Sequence, residues 1–146
     1  MKLLSLLLVS VVALAGCDRI DPDSPLGKRK AIYQAMLDTK EDLGGMLRGR
    51  LAFDEAAFAS GAAKLDELSR QPWQHYPDVK EEQSDARDDV WQRQARFNEL
   101  ARELEALTGR LREVTASPPL TAETVAADFQ RVEDACETCH KEFRAY

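Results

Sequence analysis

Apolar positions in this chain recur every three to four residues over four separate stretches. No stretch shows sustained two-residue alternation, so the pattern predicts helices and no sheet. The first runs over about residues 28–48, with Ile32, Met36, Leu43 and Met46 on one stripe and Gly49 as its stop. The second, capped by Asp54, reaches about residue 69 and puts Phe58, Gly61, Leu65 and Leu68 on one face; a glycine in the middle of that face predicts a close packing contact. After a loop broken by Pro72 and Pro77, the third begins near residue 84 and repeats Val90, Phe97, Leu104 and Leu111 at sevens, with Leu100 and Leu107 between them. The fourth, capped by Thr121, carries Val125, Phe129, Val132, Cys136, Cys139 and Phe143. Four such stripes on short connections bury one another best as an all-α, antiparallel up-down four-helix bundle over residues 28–146, with cofactor sites between facing helices.

The N-terminus follows a different pattern. Met1-Lys2 precedes the apolar run "LLSLLLVSVVALAG", residues 3–16, which is too short to span a membrane comfortably and reads as a secretory signal. It ends in "LAGC", which resembles the lipobox of bacterial lipoproteins. Residues 1–16 are then a lipoprotein signal peptide, Cys17 a lipidated N-terminus, and residues 17–27 the tether, polar and holding two prolines. The alternative is an ordinary signal peptide cut near Ala15. Export places the domain on the periplasmic side of a bacterial membrane, and Asp18, which resembles the inner-membrane retention signal of enteric bacteria, favours the inner membrane.

Composition adds limits. At 146 residues, 44% hydrophobic and 32% charged, the chain is one globular domain's worth. Its net charge of −6, with acids and bases interspersed, leaves no footprint for nucleic acid.

The chemistry is concentrated in "DACETCHKEF", residues 134–143. Positions i, i+3 and i+4 share a helix face, so Cys136, Cys139 and His140 point the same way. A C-x-x-C-H motif uses that arrangement to attach haem c: two thiols add to the two vinyl groups and the histidine reaches the iron. Cysteine arithmetic closes, with Cys17 on lipid and none left for a structural disulfide. Two alternatives remain. Zinc would need a fourth ligand, and the other histidine, His75, sits in a loop beside no second cysteine pair. A thioredoxin-type disulfide would stand at a strand-to-helix junction, which the pattern lacks.

With this motif in the last helix of a bundle, residues 29–144 resemble the cytochrome c′ family. The stretches "RKAIYQAM", "LSRQPWQHYP", "DARDDVWQRQARF" and "CETCHKEFR" carry the resemblance. It implies Tyr33 over the distal face of the haem and Arg29 one turn earlier, near a propionate. It also implies haem-binding positions at Lys30, where relatives often have glutamine, at Asp85, and at Arg144 beside His140. Low-spin relatives have methionine at the Tyr33 position and carry electrons. Tyrosine there implies a five-coordinate, high-spin iron that binds nitric oxide and carbon monoxide, for protection or buffering rather than as an enzyme. Met36, one turn on, is the rival ligand and otherwise fills the core; if it closed the iron, the chain would be a low-spin electron-transfer cytochrome. The resemblance further implies a redox partner that the residues do not identify, and homodimers through the first two helices, with which Leu37 and Leu47 are compatible.

Overall fold

The computed structural model describes residues 20–145. Ser24 opens the first helix, α1 (Pro25–Leu47): its Oγ accepts the Gly27 amide at 3.0 Å, and Pro25 occupies a position where an amide would have no helical partner. The helix therefore starts at Pro25, inside the stretch read as tether. It ends at Gly49, whose φ of +71° lets the amides of Arg50 and Leu51 both return to the Gly45 carbonyl. Helix α2 (Glu55–Ser69) is capped by Asp54, which accepts the Ala57 amide at 2.8 Å. A β-carbon on Gly61 would stand 2.8 Å from Leu43 Cδ2, so this glycine lets α1 and α2 approach, as the sequence pattern implies.

A 3-10 turn (Pro72–His75) leads into an irregular segment. Here the expected third helix is corrected: it is two elements, α3 (Asp89–Gln92) and α4 (Gln94–Thr115), separated at Arg93, which leaves helical geometry at φ −121° and ψ 42°. Residues 84–88 are not helical because their backbone pairs with the end of the last helix. The Arg87 amide donates to Phe143 O at 2.8 Å and the Ala145 amide to Asp85 O at 2.7 Å, around an isolated Ala86–Arg144 bridge. The Arg93 side chain reaches the same end, 2.7 Å from Glu142. Helix α5 (Ala122–Phe143) opens on a reciprocal cap between Thr121 and Thr124.

Helices α1, α2, α4 and α5 close a ring in which each packs on the next, giving the antiparallel four-helix bundle. No strand occurs among the described residues. The main core contains Leu43, Phe58, Leu65, Leu111, Val125 and Phe129. A second cluster of Val90, Phe97, Leu100 and Phe143 gathers at one end, with Trp73 and Tyr76 against it. Buried polar groups between α2 and α4 are paired: Asp66 meets Arg70 at 2.6 Å and Arg112 at 2.9 Å, beside a Ser69–Thr108 hydroxyl contact of 2.9 Å. The expected signal peptide and the lipidated Cys17 lie outside the described residues, among which no helix is long and apolar enough to cross a membrane.

Candidate haem-binding site

Near that aromatic end, α1 and α5 both line a cavity of about 500 Å³. The α5 wall holds Cys136, Cys139 and His140, which one turn of helix presents together. Val132, Ala135 and Phe143 on the same helix are buried, and they seat this turn at the core's edge. Cys136 packs on the main core and Cys139 on the second cluster, so the motif spans the seam between them. Both thiols are free and half-buried. Burial raises the Cys136 pKa, and burial followed by the Cys136 and Glu142 charges pushes Cys139 up to about 11. Near neutral pH both are thiols rather than thiolates, which slows disulfide formation between them. His140 is exposed on the rim. Partial desolvation, then the Arg144 and Lys40 cations, lower its pKa and favour the neutral imidazole that can ligate a metal.

The α1 wall holds Arg29, Lys30, Tyr33 and Met36, and Asp85 and Arg144 stand at the same cavity. All eight residues expected at the site within the described chain thus line one space, although the segments that carry them are far apart in sequence. Met36 is buried in the main core as well as reaching the wall. Tyr33 is half-buried, its ring edge-on to Trp73 at 6.4 Å and its hydroxyl 3.1 Å from that of Tyr76. Burial above all, and then the Tyr76 hydroxyl, hold the Tyr33 phenol well above its ordinary pKa of 10.0.

The charged residues at the mouth are already paired. Arg29 is buried, its Nη atoms donating to both Glu81 carboxylate oxygens at 3.1 and 3.2 Å, to Ser84 Oγ at 3.1 Å and to the His75 carbonyl. Its guanidinium also stacks 4.2 Å over the Tyr76 ring. Contact with a propionate would therefore have to share or displace the Glu81 bond. Lys30 and Asp85 face each other at 3.1 Å, both partly exposed. Arg144 reaches the site through the helix end, its amide donating to His140 O at 3.1 Å.

Trp73, Tyr76, Glu81 and Ser84 were not among the expected site residues. For Trp73 and Tyr76 the signal is aromatic residues set in a proline-bounded loop, "QPWQHYP", which is unusual for a solvent-exposed connection; Glu81 and Ser84 carry none.

The cavity fits a tetrapyrrole. Its volume lies within the roughly 300–1,000 Å³ of cofactor pockets. Its lining is mainly apolar, with Arg29, Lys30, Lys40 and Arg144 among it, and Trp73 Nε1 is a buried donor with no partner in the protein. A flat apolar group carrying carboxylates would match the cavity's apolar walls and its cations, and would offer acceptors for donors such as this one. The zinc alternative finds no support, since no three His, Cys, Asp or Glu side chains among the described residues are grouped to hold a metal ion.

Comparison with known proteins agrees. A cytochrome c′ from Rhodopseudomonas palustris is 25% identical over 99% of this chain and 98% of its own. In structure, the cytochrome c prime from Shewanella frigidimarina superposes with a TM-score of 0.80 at 21% identity, covering 86% of this chain and 98% of that one. The cytochrome c prime from Alcaligenes xylosoxidans is similar in two mutant forms. Its nitric oxide complex superposes at TM-score 0.76 and 20% identity, over 85% of this chain and 98% of that one. Its carbon monoxide-bound form superposes at TM-score 0.77 and 21% identity, over 86% and 98%. Proteins of this kind carry covalently bound haem c, for which Cys136 and Cys139 supply paired thiols in a C-x-x-C-H motif. Because the family model described as Cytochrome C' matches residues 24–144, nearly the whole described chain, this protein belongs to the cytochrome c′ family.

Proposed function

We propose that this chain is a membrane-tethered, periplasm-facing cytochrome that holds a five-coordinate haem c and binds nitric oxide and carbon monoxide. In this reading it protects or buffers by binding the gas rather than by turning it over. The observation that carries it is one cavity that brings Cys136, Cys139 and His140 from α5 together with Tyr33 from α1. Haem, when bound, supplies an iron with one coordination position left open to a diatomic gas. Cys136 and Cys139 hold it through two thioethers, and His140 offers its neutral imidazole from the α5 side. Tyr33 would crowd the other side with an aromatic ring whose hydroxyl is engaged by that of Tyr76. Arg29, Lys30 and Arg144 are cations at the cavity that could meet propionates, Arg29 and Lys30 by sharing or displacing their bonds to Glu81 and Asp85. The nitric oxide and carbon monoxide complexes of the Alcaligenes xylosoxidans mutants support the ligand class.

The electron-carrier reading needs Met36 to close the iron. Its burial in the main core among Leu43, Leu65 and Val132 favours a packing role instead. A visible spectrum of the reduced protein decides between them. A broad high-spin Soret band that shifts on adding one equivalent of nitric oxide is expected; sharp, split α and β bands before any gas is added would refute the open site. Exposed Leu37 is available to a homodimer through α1 and α2, whereas Leu47 is largely taken up by the core. The anchor at Cys17 predicts that the processed protein partitions into detergent, and a wholly aqueous mature form would remove it.

A further inference from the structure

We infer that Tyr76 is a positioning residue for gas binding, its hydroxyl holding the Tyr33 ring across the open face of the haem so that an entering ligand must first break the Tyr33–Tyr76 bond. The inference rests on the proposed distal role of Tyr33 and adds to it the part of the molecule that controls that ring.

The geometry makes one phenol fixed and the other tethered. Tyr76 is clamped on several sides. Its ring lies edge-on to Phe97 at 4.9 Å and to Trp91 at 6.2 Å, and the Arg29 guanidinium covers its face at 4.2 Å. Those neighbours are themselves held. Arg29 is bonded to Glu81 and Ser84, and Trp91 donates its indole N–H to Pro77 O at 2.7 Å. Tyr33 has less support. Beyond the edge contact with Trp73, its polar end has one hydrogen bond, the 3.1 Å contact with Tyr76.

Burial keeps both phenols above their ordinary pKa, so at physiological pH the bond joins two neutral groups. Such a bond contributes modestly, which suits a latch that a ligand can open. A diatomic approaching the iron meets the Tyr33 ring, and moving the ring aside breaks this bond and no other side-chain hydrogen bond. Tyr76 itself stays in place.

The test measures carbon monoxide association after flash photolysis of the reduced holoprotein, together with urea unfolding. Wild type, Tyr76→Phe, Tyr33→Phe and the double variant are compared; phenylalanine keeps the ring packing. Each single variant is expected to bind about 2- to 10-fold faster, the factor that corresponds to one neutral hydrogen bond. The double variant should be no faster than either single one, and the unfolding equilibria should show the same non-additivity. Wild-type rates in Tyr76→Phe, effects that multiply in the double variant, or strictly additive unfolding would each overturn the tether. Tyr33→Ala separates this inference from the reading beneath it. If Tyr33→Ala binds carbon monoxide at the wild-type rate, Tyr33 does not cover the iron and the distal assignment fails. If it binds faster while Tyr76→Phe does not, the tether alone fails.

Discussion

Protein carrying both Cys136→Ser and Cys139→Ser is expected to release all of its haem on extraction with acidified organic solvent, whereas the natural chain keeps it. The two thiols are the attachment chemistry of the motif, and a serine hydroxyl cannot form the thioether. Once the unattached haem has left, stability should fall as well, because α1 and α5 line a cavity of about 500 Å³ that the cofactor is expected to fill. An unfilled cavity costs roughly 24 cal/mol per Å³ that the fold fails to collapse. If only about a fifth of this volume persisted, the loss would be about 2.4 kcal/mol, or a fall in Tm of about 10 °C at this chain length. Thermal unfolding of the variant beside the natural protein reads this directly. Haem retained through extraction would show that these cysteines are not its attachment points.

Tyr33→Met is expected to produce the largest change in electronic structure. A methionine here would place a flexible thioether in the cavity that His140 also lines, and sulfur is a good sixth ligand for haem iron. The reduced protein should pass from a broad Soret band to sharp, split α and β bands, and its carbon monoxide binding should slow by orders of magnitude because the gas must displace a ligand. The substitution also leaves the Tyr76 hydroxyl without its partner, at a cost of about 1 kcal/mol. Met36→Leu serves as the control. Met36 is part of the main core, so this volume-conserving change should leave the spectrum as it was. A high-spin spectrum in Tyr33→Met would mean that another side chain faces the iron; a changed spectrum in Met36→Leu would point to Met36 as that side chain.

Much of the site was legible before the fold was known, because its chemistry is local. Cys136, Cys139 and His140 need only helical spacing to share a face, and α5 supplies it from a cap at Thr121 to its end at Phe143. Asp54 and Gly49 likewise mark helix ends through contacts within a few residues, and Gly61 lies where α1 approaches. Ser24-Pro25 carried an equally local signal for the start of α1, but the two prolines around it read first as a tether.

Other features depended on distant parts of the chain. The stretch from residue 84, expected to open the third helix, is not helical before Asp89, because the end of α5 pairs with its backbone at Asp85 and Arg87. Arg29 sits in a run of three basic residues that reads as a solvated face, and its burial becomes clear only once Glu81, Ser84 and the His75 carbonyl close around it. Trp73 and Tyr76 belong to no periodic stripe, so nothing local says that they wall a cavity.

By itself the sequence determined that the chain is helical, the caps at Asp54 and Thr121 and the cofactor-binding motif, since each is set by backbone geometry over a turn or two of chain. Only the tertiary structure decided what lines the cavity with that motif, how the charges at its mouth are spent, and that two tyrosines 43 residues apart share a hydrogen bond. Those depend on long-range packing and pairing, in which a loop takes its place from surfaces contributed by other elements and not from its own residue pattern.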